Sequence, residues 1–213
     1  ILTTNMDFIN TSEKETKVKS YLVTSPGPME GKTTIASNLS ATISEQGLKT
    51  VIIDTDLRKP RLHKVFNYDN KLGVTSFVSG NNTIDSIIQK TELKNLDFIS
   101  TGPIPPNAIQ IIKSPKFTEM FEYLKKNYDR VIFDSPPISA VSDALVISKM
   151  VDGVVLVVKF NSTNKHYLIE AKSQFTNINS KIIGVILNQA DKSKISYYSY
   201  KKYDYYYYGK DEK

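Results

Sequence analysis

The stretch Ser25-Pro26-Gly27-Pro28-Met29-Glu30-Gly31-Lys32-Thr33-Thr34 places an amine and two hydroxyls directly after a glycine, between an apolar triplet and a helical pattern. Strand, loop, Gly-Lys-Thr, helix is the arrangement of a phosphate-binding loop. In such a loop the backbone N–H groups and the helix N-terminus form a cradle for phosphate oxygens. Gly31 leaves bare backbone against the phosphate, Lys32 supplies a mobile cation for the β- and γ-phosphates, and the Thr33 hydroxyl is placed to ligate Mg²⁺. The strict pattern GxxxxGK[ST] fails, because Pro26 stands where its first glycine belongs and the earlier glycine is Gly27. The tripeptide alone is a weak signal, and its strand–helix context strengthens it.

Two further stretches end in acids: Val51-Ile52-Ile53-Asp54-Thr55-Asp56-Leu57-Arg58 and Val131-Ile132-Phe133-Asp134-Ser135-Pro136-Pro137. Asp54 and Asp56 are two residues apart, which puts them on one side of an extended strand. Mg²⁺ prefers few carboxylates together with waters and phosphate oxygens, so one threonine with two or three strand-end aspartates suits it. A lone strand-end Asp more often caps a helix or forms a turn; two such strands beside a phosphate loop make that plainer reading the weaker one. Asp143 reads as an N-cap or loop acid. The run Arg58-Lys59-Pro60-Arg61-Leu62-His63-Lys64 reads as a solvated basic face, with Arg58 close enough to the acids to matter. Ser135, Thr33 and Thr34 do not suggest a serine nucleophile, since no histidine is near them in sequence.

These residues need a scaffold. Tyr21–Val23, Val51–Ile53, Val131–Phe133, Val154–Val158 and Ile182–Leu187 are short, near-continuous apolar runs. Such runs predict strands covered on both faces. Between them, Thr34–Glu45, Phe117–Lys126 and His166–Asn177 carry helical spacing. Alternating strand and helix predicts an α/β, doubly wound, mostly parallel sheet, which binds ligands beyond the carboxyl ends of its strands. Leu57–Asn82 reads as a short helix plus loops, and Gly102-Pro103-Ile104-Pro105-Pro106-Asn107 as a Pro-fixed loop. Residues 1–190 read as one domain, with 1–19 as a lead-in. Residues 191–213 read as a flexible tail. Eight of the chain's 13 tyrosines crowd that tail: Tyr197, Tyr198, Tyr200, Tyr203, Tyr205, Tyr206, Tyr207 and Tyr208.

Composition narrows the chemistry. The 213 residues contain no Cys, which excludes a disulfide scaffold, a thiolate metal site and a Cys nucleophile. Two His, His63 and His166, are too few and too far apart for a His-based metal site. The net charge of +6 (28 − 22) suits nucleic acid, an anionic membrane or nucleotide phosphates alike. The longest clean apolar run, Val154–Val158, is far short of the roughly 20 residues of a membrane helix. No signal peptide is visible. The start at Ile1 reads as a fragment of something longer.

With these motifs together the sequence resembles the bacterial tyrosine kinases (BY-kinases) of capsule and exopolysaccharide synthesis, which are of the P-loop NTPase type. Ser-x-x-Pro-x-Glu30-Gly31-Lys32-Thr33 resembles their Walker A loop, Asp54-Thr-Asp56-Leu-Arg58-Lys-Pro their Walker A′ motif, and Asp134-Ser-Pro-Pro their Walker B. Gly102–Asn107, Tyr128-Asp129, Gly184–Asn188 and the terminal Tyr cluster extend the likeness over nearly the whole chain. The resemblance implies a tyrosine autokinase using ATP and Mg²⁺. Pro28, Met29, Glu30, Gly31, Lys32, Thr33 and Thr34 would hold the nucleotide, with Asn188 near the adenine. Thr33, Asp56 and Asp134 would hold the metal. Lys32, Asp54, Asp56 and Arg58 would carry catalysis, Asp54 taking the proton from the attacking tyrosine. The tail tyrosines would accept phosphate, in a neighbouring subunit. The implied partners are a transmembrane polysaccharide co-polymerase, further copies of the chain and a cognate tyrosine phosphatase, with no nucleic acid. The implied place is cytoplasmic, at the inner face of the membrane.

The sequence also departs from that pattern. Met29 stands where the family has Gly, and Ala108-Ile109-Gln110 where it favours Pro and Glu. Thr3-Thr4-Asn5-Met6 resembles the end of its oligomerisation motif, with Thr3 in place of an Arg. The alternative reading is a septum-positioning or partition ATPase, acting as a nucleotide-gated dimer on membrane or DNA. Those proteins carry an extra Lys where this chain has Gly27, and they lack a terminal Tyr run.

Overall fold

The computed structural model describes residues 19–80 and 82–190. The lead-in up to residue 18, with Thr3–Met6, and the tyrosine-rich stretch 191–213 lie outside the described residues. The strands are β1 (Ser20–Thr24), β2 (Thr50–Asp54), β3 (Gln89–Lys90), β4 (Leu96–Ile99), β5 (Arg130–Asp134), β6 (Gly153–Lys159) and β7 (Ile182–Asn188). They form one sheet in the order β3-β4-β2-β5-β1-β6-β7. Every pairing is parallel except β3 with β4. The helices are α1 (Lys32–Glu45), α2 (Leu62–Val65), α3 (Val74–Val78), α4 (Ile84–Ile87), α5 (Ala108–Ile112), α6 (Pro115–Asn127), α7 (Asp143–Ser148) and α8 (Lys165–Asn177).

The central strands are buried on both faces, as their apolar runs require. Alternate residues divide between two cores. Leu22, Val51, Ile53, Val131, Phe133 and Leu156 join Phe117, Phe121 and Phe175 on one side. Tyr21, Val23, Ile52, Ile132, Val155 and Val157 join Ala36, Leu39 and Ile43 of α1 on the other. In α6, Phe117, Met120, Phe121 and Leu124 recur at helical spacing and all are buried. The Ser114 side chain accepts from Phe117 N–H and Pro115 opens the helix, so the start of α6 is fixed locally. Helix α1 buries Ser37, Ser40 and Ser44 among its apolar residues. Each of those hydroxyls donates to a helix carbonyl, which leaves a small, internally satisfied surface against the sheet.

Some expectations need correcting. Strand β7 is not covered on both faces: it is the sheet edge, and Val185 and Leu187 are 55% and 52% exposed. Strand β4 is not among the apolar runs of the sequence because Asp97 interrupts it. That carboxylate is buried, and it accepts from Tyr128 Oη at 2.6 Å and Lys90 Nζ at 2.8 Å. Leu57–Asn82 holds two short helices, α2 and α3, rather than one. Gly102 lies against Gly73 and Thr75 at the start of α3, and Asn70 holds both its N–H and its carbonyl. The Pro-rich loop is thereby pinned at its root.

Candidate active site

Three strand ends meet at one edge of the sheet. β1 pairs with β5 so that Val23 lies beside Asp134, and β2 pairs with β5 so that Asp54 lies beside Asp134. The loop after β1 passes over this edge into α1. Gly31 is the N-cap of α1 at φ 93, with no side chain to cap the helix. The first-turn N–H groups, those of Lys32, Thr33 and Thr34, have no acceptor within the helix and are available to an anion. A Cβ on Gly31 would fall 2.1 Å from Asn188 Nδ2, so a side chain there is strained at this φ and must push Asn188 off the Glu30 carbonyl. Met29, standing where a glycine was expected, takes the left-handed conformation at φ 59 and is 81% exposed. Pro28 and Thr34 are exposed, and Lys32 and Thr33 are half-buried.

Glu30 turns inward. Its carboxylate accepts from Thr163 Oγ1 at 2.7 Å and from the Gly27 N–H, while Oε2 is buried with no partner among the described residues. Burial pushes its pKa up, against these bonds and the charge of Lys32. Asn188 Nδ2 donates to the Glu30 carbonyl at 2.9 Å. Asn188, expected from the resemblance near an adenine, therefore ties the end of β7 to the phosphate loop.

The acids occupy distinct settings. Asp134 is buried and takes a hydrogen bond from the Thr33 hydroxyl, and its Oδ1 has no partner among the described residues. Burial, then the charge of Asp54, raises its pKa. Asp54 is 0% exposed. Its Oδ1 accepts from Asp56 N–H at 3.1 Å, and its Oδ2 from Arg61 N–H at 3.1 Å and Leu62 N–H at 2.9 Å. Asp54 thus organises the loop to α2. Burial still raises its pKa, outweighing the Leu62 bond, with the charge of Asp56 adding to the rise. The strand ends at Asp54, so Asp56 reaches the site by an Asx-type turn and not by strand pleat. Asp56 is half-buried, and its Oδ1 accepts from Lys59 N–H at 3.0 Å.

Arg58 Nε donates to Asp143 Oδ2 at 3.2 Å, and that carboxylate is 1% exposed. Asp143 is the first residue of α7, whose N-cap is Ser142. The expectation of a cap or loop acid missed its pairing with Arg58, a contact across 85 residues of chain that no local pattern announces. Thr163 is the other residue that the motifs did not mark. Tyr197, Tyr198, Tyr200, Tyr203, Tyr205, Tyr206, Tyr207 and Tyr208 lie outside the described residues.

The arrangement fits a nucleotide with Mg²⁺. A partnerless buried oxygen on Asp134 beside the Thr33 hydroxyl, and the uncapped first turn of α1, are what such a ligand set needs. Among the described residues no group of three or more His, Asp or Glu is placed to hold a metal ion by itself. Also among the described residues, no helix is long and apolar enough to cross a membrane.

Comparison with known proteins agrees with this geometry. Residues 29–190 match the AAA domain family. The chain is 36% identical to the putative tyrosine-protein kinase CapB of Staphylococcus aureus, over 94% of this chain and 85% of that protein. It is 38% identical to the tyrosine-protein kinase YwqD of Bacillus subtilis (strain 168), over 92% and 82%. The crystal structure of the chimerical protein CapA2B2 superposes with a TM-score of 0.85 at 37% identity, covering 90% of this chain and 83% of that one. The septum site-determining protein MinD of Pyrococcus horikoshii, complexed with Mg-ADP, superposes at 0.70 with 20% identity over 86% and 76%, a likeness of fold alone.

Proposed function

The chain belongs to the bacterial tyrosine kinases, and on that premise we propose that it is an autokinase that transfers the γ-phosphoryl group of ATP to tyrosines of its own carboxyl-terminal stretch, Tyr197–Tyr208. The observation that carries this reading is the Gly31-Lys32-Thr33 cradle set over the adjacent Asp54 and Asp134, in a chain whose remaining C-terminal residues are dense in phenols.

Phosphoryl transfer asks a protein for positioning and charge neutralisation more than for covalent chemistry. The loop N–H groups and Lys32 hold the phosphates. Mg²⁺ held by Thr33, Asp56 and Asp134 would offset charge on the phosphate oxygens. A phenol of pKa ~10 is a poor nucleophile near neutrality, so a carboxylate base is needed. Asp54 takes the proton as the phenolic oxygen bonds to the γ-phosphorus and the bond to the β–γ bridging oxygen breaks, releasing ADP. Its raised pKa suits that task. Its burial requires the 56–61 segment to yield as the phenol arrives. Arg58, aimed by Asp143, adds positive charge at the mouth of the site.

Each phosphate adds about −1.5 to −2 charge. Several on one stretch repel one another and the acids of the site, so an unmodified stretch docks and a modified one leaves. Docking between copies makes the reaction run in trans and holds a homo-oligomer together. A transmembrane co-polymerase places the kinase at the inner face of the membrane and activates it, a cognate phosphatase resets it, and the cycle regulates polysaccharide polymerisation and export. The septum-positioning alternative has no observation of its own in its favour.

The test mixes a chain ending at residue 190, as phosphoryl donor, with a full-length Lys32→Met chain, as acceptor, in Mg²⁺ and labelled ATP. Label on the Lys32→Met chain is expected. An acceptor that stays unlabelled, with and without a membrane-partner peptide, contradicts transfer between subunits.

A further inference from the structure

We propose that Thr163, in the turn between β6 and α8, is a positioning residue of the phosphate-binding loop, holding the loop's left-handed Met29–Gly31 turn in place through Glu30. The proposal rests on the reading that this loop binds nucleotide.

The loop needs to be held. Met29 at φ 59 and Gly31 at φ 93 are both left-handed, and Met29 pays a steric cost that Gly would not. Such conformations persist only where the surroundings fix them. The exposed Met29 side chain supplies no anchor; Ile138 and Ser139 N–H hold the loop's first residues at the Ser25 and Pro26 carbonyls, and at its Met29–Gly31 end the restraint comes through Glu30.

Glu30 is gripped from two directions. Asn188 Nδ2 takes its carbonyl, and the Thr163 hydroxyl donates to Oε1 of its carboxylate at 2.7 Å. The Gly27 N–H also meets that carboxylate, closing the loop on itself. Thr163 is in turn fixed. Its Oγ1 accepts from Lys159 N–H at 2.7 Å, which leaves the hydroxyl proton free to point at Glu30. Its own N–H donates to the Lys159 carbonyl at 3.0 Å. The same turn is joined to β7 by Phe160 N–H, which donates to the Asn188 carbonyl at 2.9 Å. The phosphate loop, the β6–α8 turn and the end of β7 are therefore one hydrogen-bonded unit. Thr163 is its donor to a buried carboxylate whose other oxygen has no partner among the described residues. Without that donor the carboxylate keeps only the Gly27 N–H. It then gains by turning toward water, which removes the side-chain tie between the loop and the β6–α8 turn and leaves the Asn188 bond to the Glu30 carbonyl, so the loop spends less time in the left-handed Met29–Gly31 conformation that presents its N–H groups to phosphate.

The test measures binding of a fluorescent ADP with Mg²⁺, beside the thermal midpoint without nucleotide. Thr163→Val keeps shape and removes the donor, and it should weaken ADP binding about tenfold, the scale of one hydrogen bond to a charged group. The nucleotide-free midpoint should fall as well, since Lys159 N–H loses its acceptor with the same hydroxyl, so the affinity is read at a temperature where every variant is folded. Thr163→Ala should act alike, and Thr163→Ser should restore affinity. Because the two side chains act as one contact, Glu30→Ala combined with Thr163→Val should bind no worse than Glu30→Ala alone. Wild-type affinity in both hydroxyl-free variants, or effects that multiply in the double variant, would overturn the proposal while leaving the nucleotide reading intact. A wild-type chain that binds no ADP contradicts the nucleotide reading itself.

Discussion

Asp54 and Asp134 close neighbouring parallel strands in the same register, so two buried carboxyl groups share one edge of the sheet. Burial raises both pKa values above 3.8, with the charge of Asp56 adding to the rise at Asp54 and the charge of Asp54 to the rise at Asp134. The folded chain therefore holds protons that the unfolded chain has already lost. The sign follows: these groups weaken the fold as pH climbs from about 4 through neutrality, and they cost nothing below that range. Asp134→Asn removes the repulsion and the charge without changing size. It should raise the urea midpoint at pH 8, by about 1–3 kcal/mol of stability, and change it little at pH 4. The same variant should lose phosphoryl transfer. Equal midpoints for variant and wild type at both pH values would refute this account of the pair.

Arg58 is half-exposed, whereas Asp143 beneath it is buried. The buried acid therefore serves to aim the guanidinium. Asp143→Asn should lower the rate of tyrosine phosphorylation roughly tenfold, with ADP affinity nearly unchanged. Arg58→Lys should not substitute for Arg58, because the contact is made by the guanidinium Nε. Rate and affinity falling together in Asp143→Asn would mean that the pair shapes the whole site instead.

Gly31→Ala should abolish ADP binding, because its Cβ meets Asn188 and its φ is left-handed. Adding Asn188→Ala removes the collision but not the strained φ, so binding should recover only in part. Full recovery in the double variant, by equilibrium titration, would show that space alone decides.

Tyr128→Phe should destabilise the fold by roughly 1–3 kcal/mol in urea. It leaves buried Asp97 with only the exposed Lys90, and activity should be unaffected. An unchanged midpoint would mean that Lys90 alone satisfies Asp97.

Much of this was legible in the chain because the central strands are apolar without interruption. The runs through Ile52, Ile132 and Val155 announce burial on both faces, and the acids following two of them mark the binding edge. Strand β4 was hidden because Asp97 breaks its run, and its partner Tyr128 lies 31 residues away. Exposure of Val185 and Leu187 was illegible for a different reason: an edge strand and a central one can share a composition, and only the strand order separates them. The loop, Asp54, Asp56 and Asp134 were named from motifs. Asp143 and Thr163 were not, since each acts through a partner 85 or 133 residues distant and carries no pattern of its own.

The central claim is that the γ-phosphoryl group leaves the Lys32 cradle for a phenol of the same kind of chain, and intact-mass and peptide mass spectrometry test it most directly. After incubation with Mg²⁺ and ATP, with and without a peptide from a membrane co-polymerase, phosphate should appear between Tyr197 and Tyr208 and be absent in Lys32→Met. Hydrolysis of ATP to ADP with every one of those tyrosines unmodified, even with the peptide present, would contradict it.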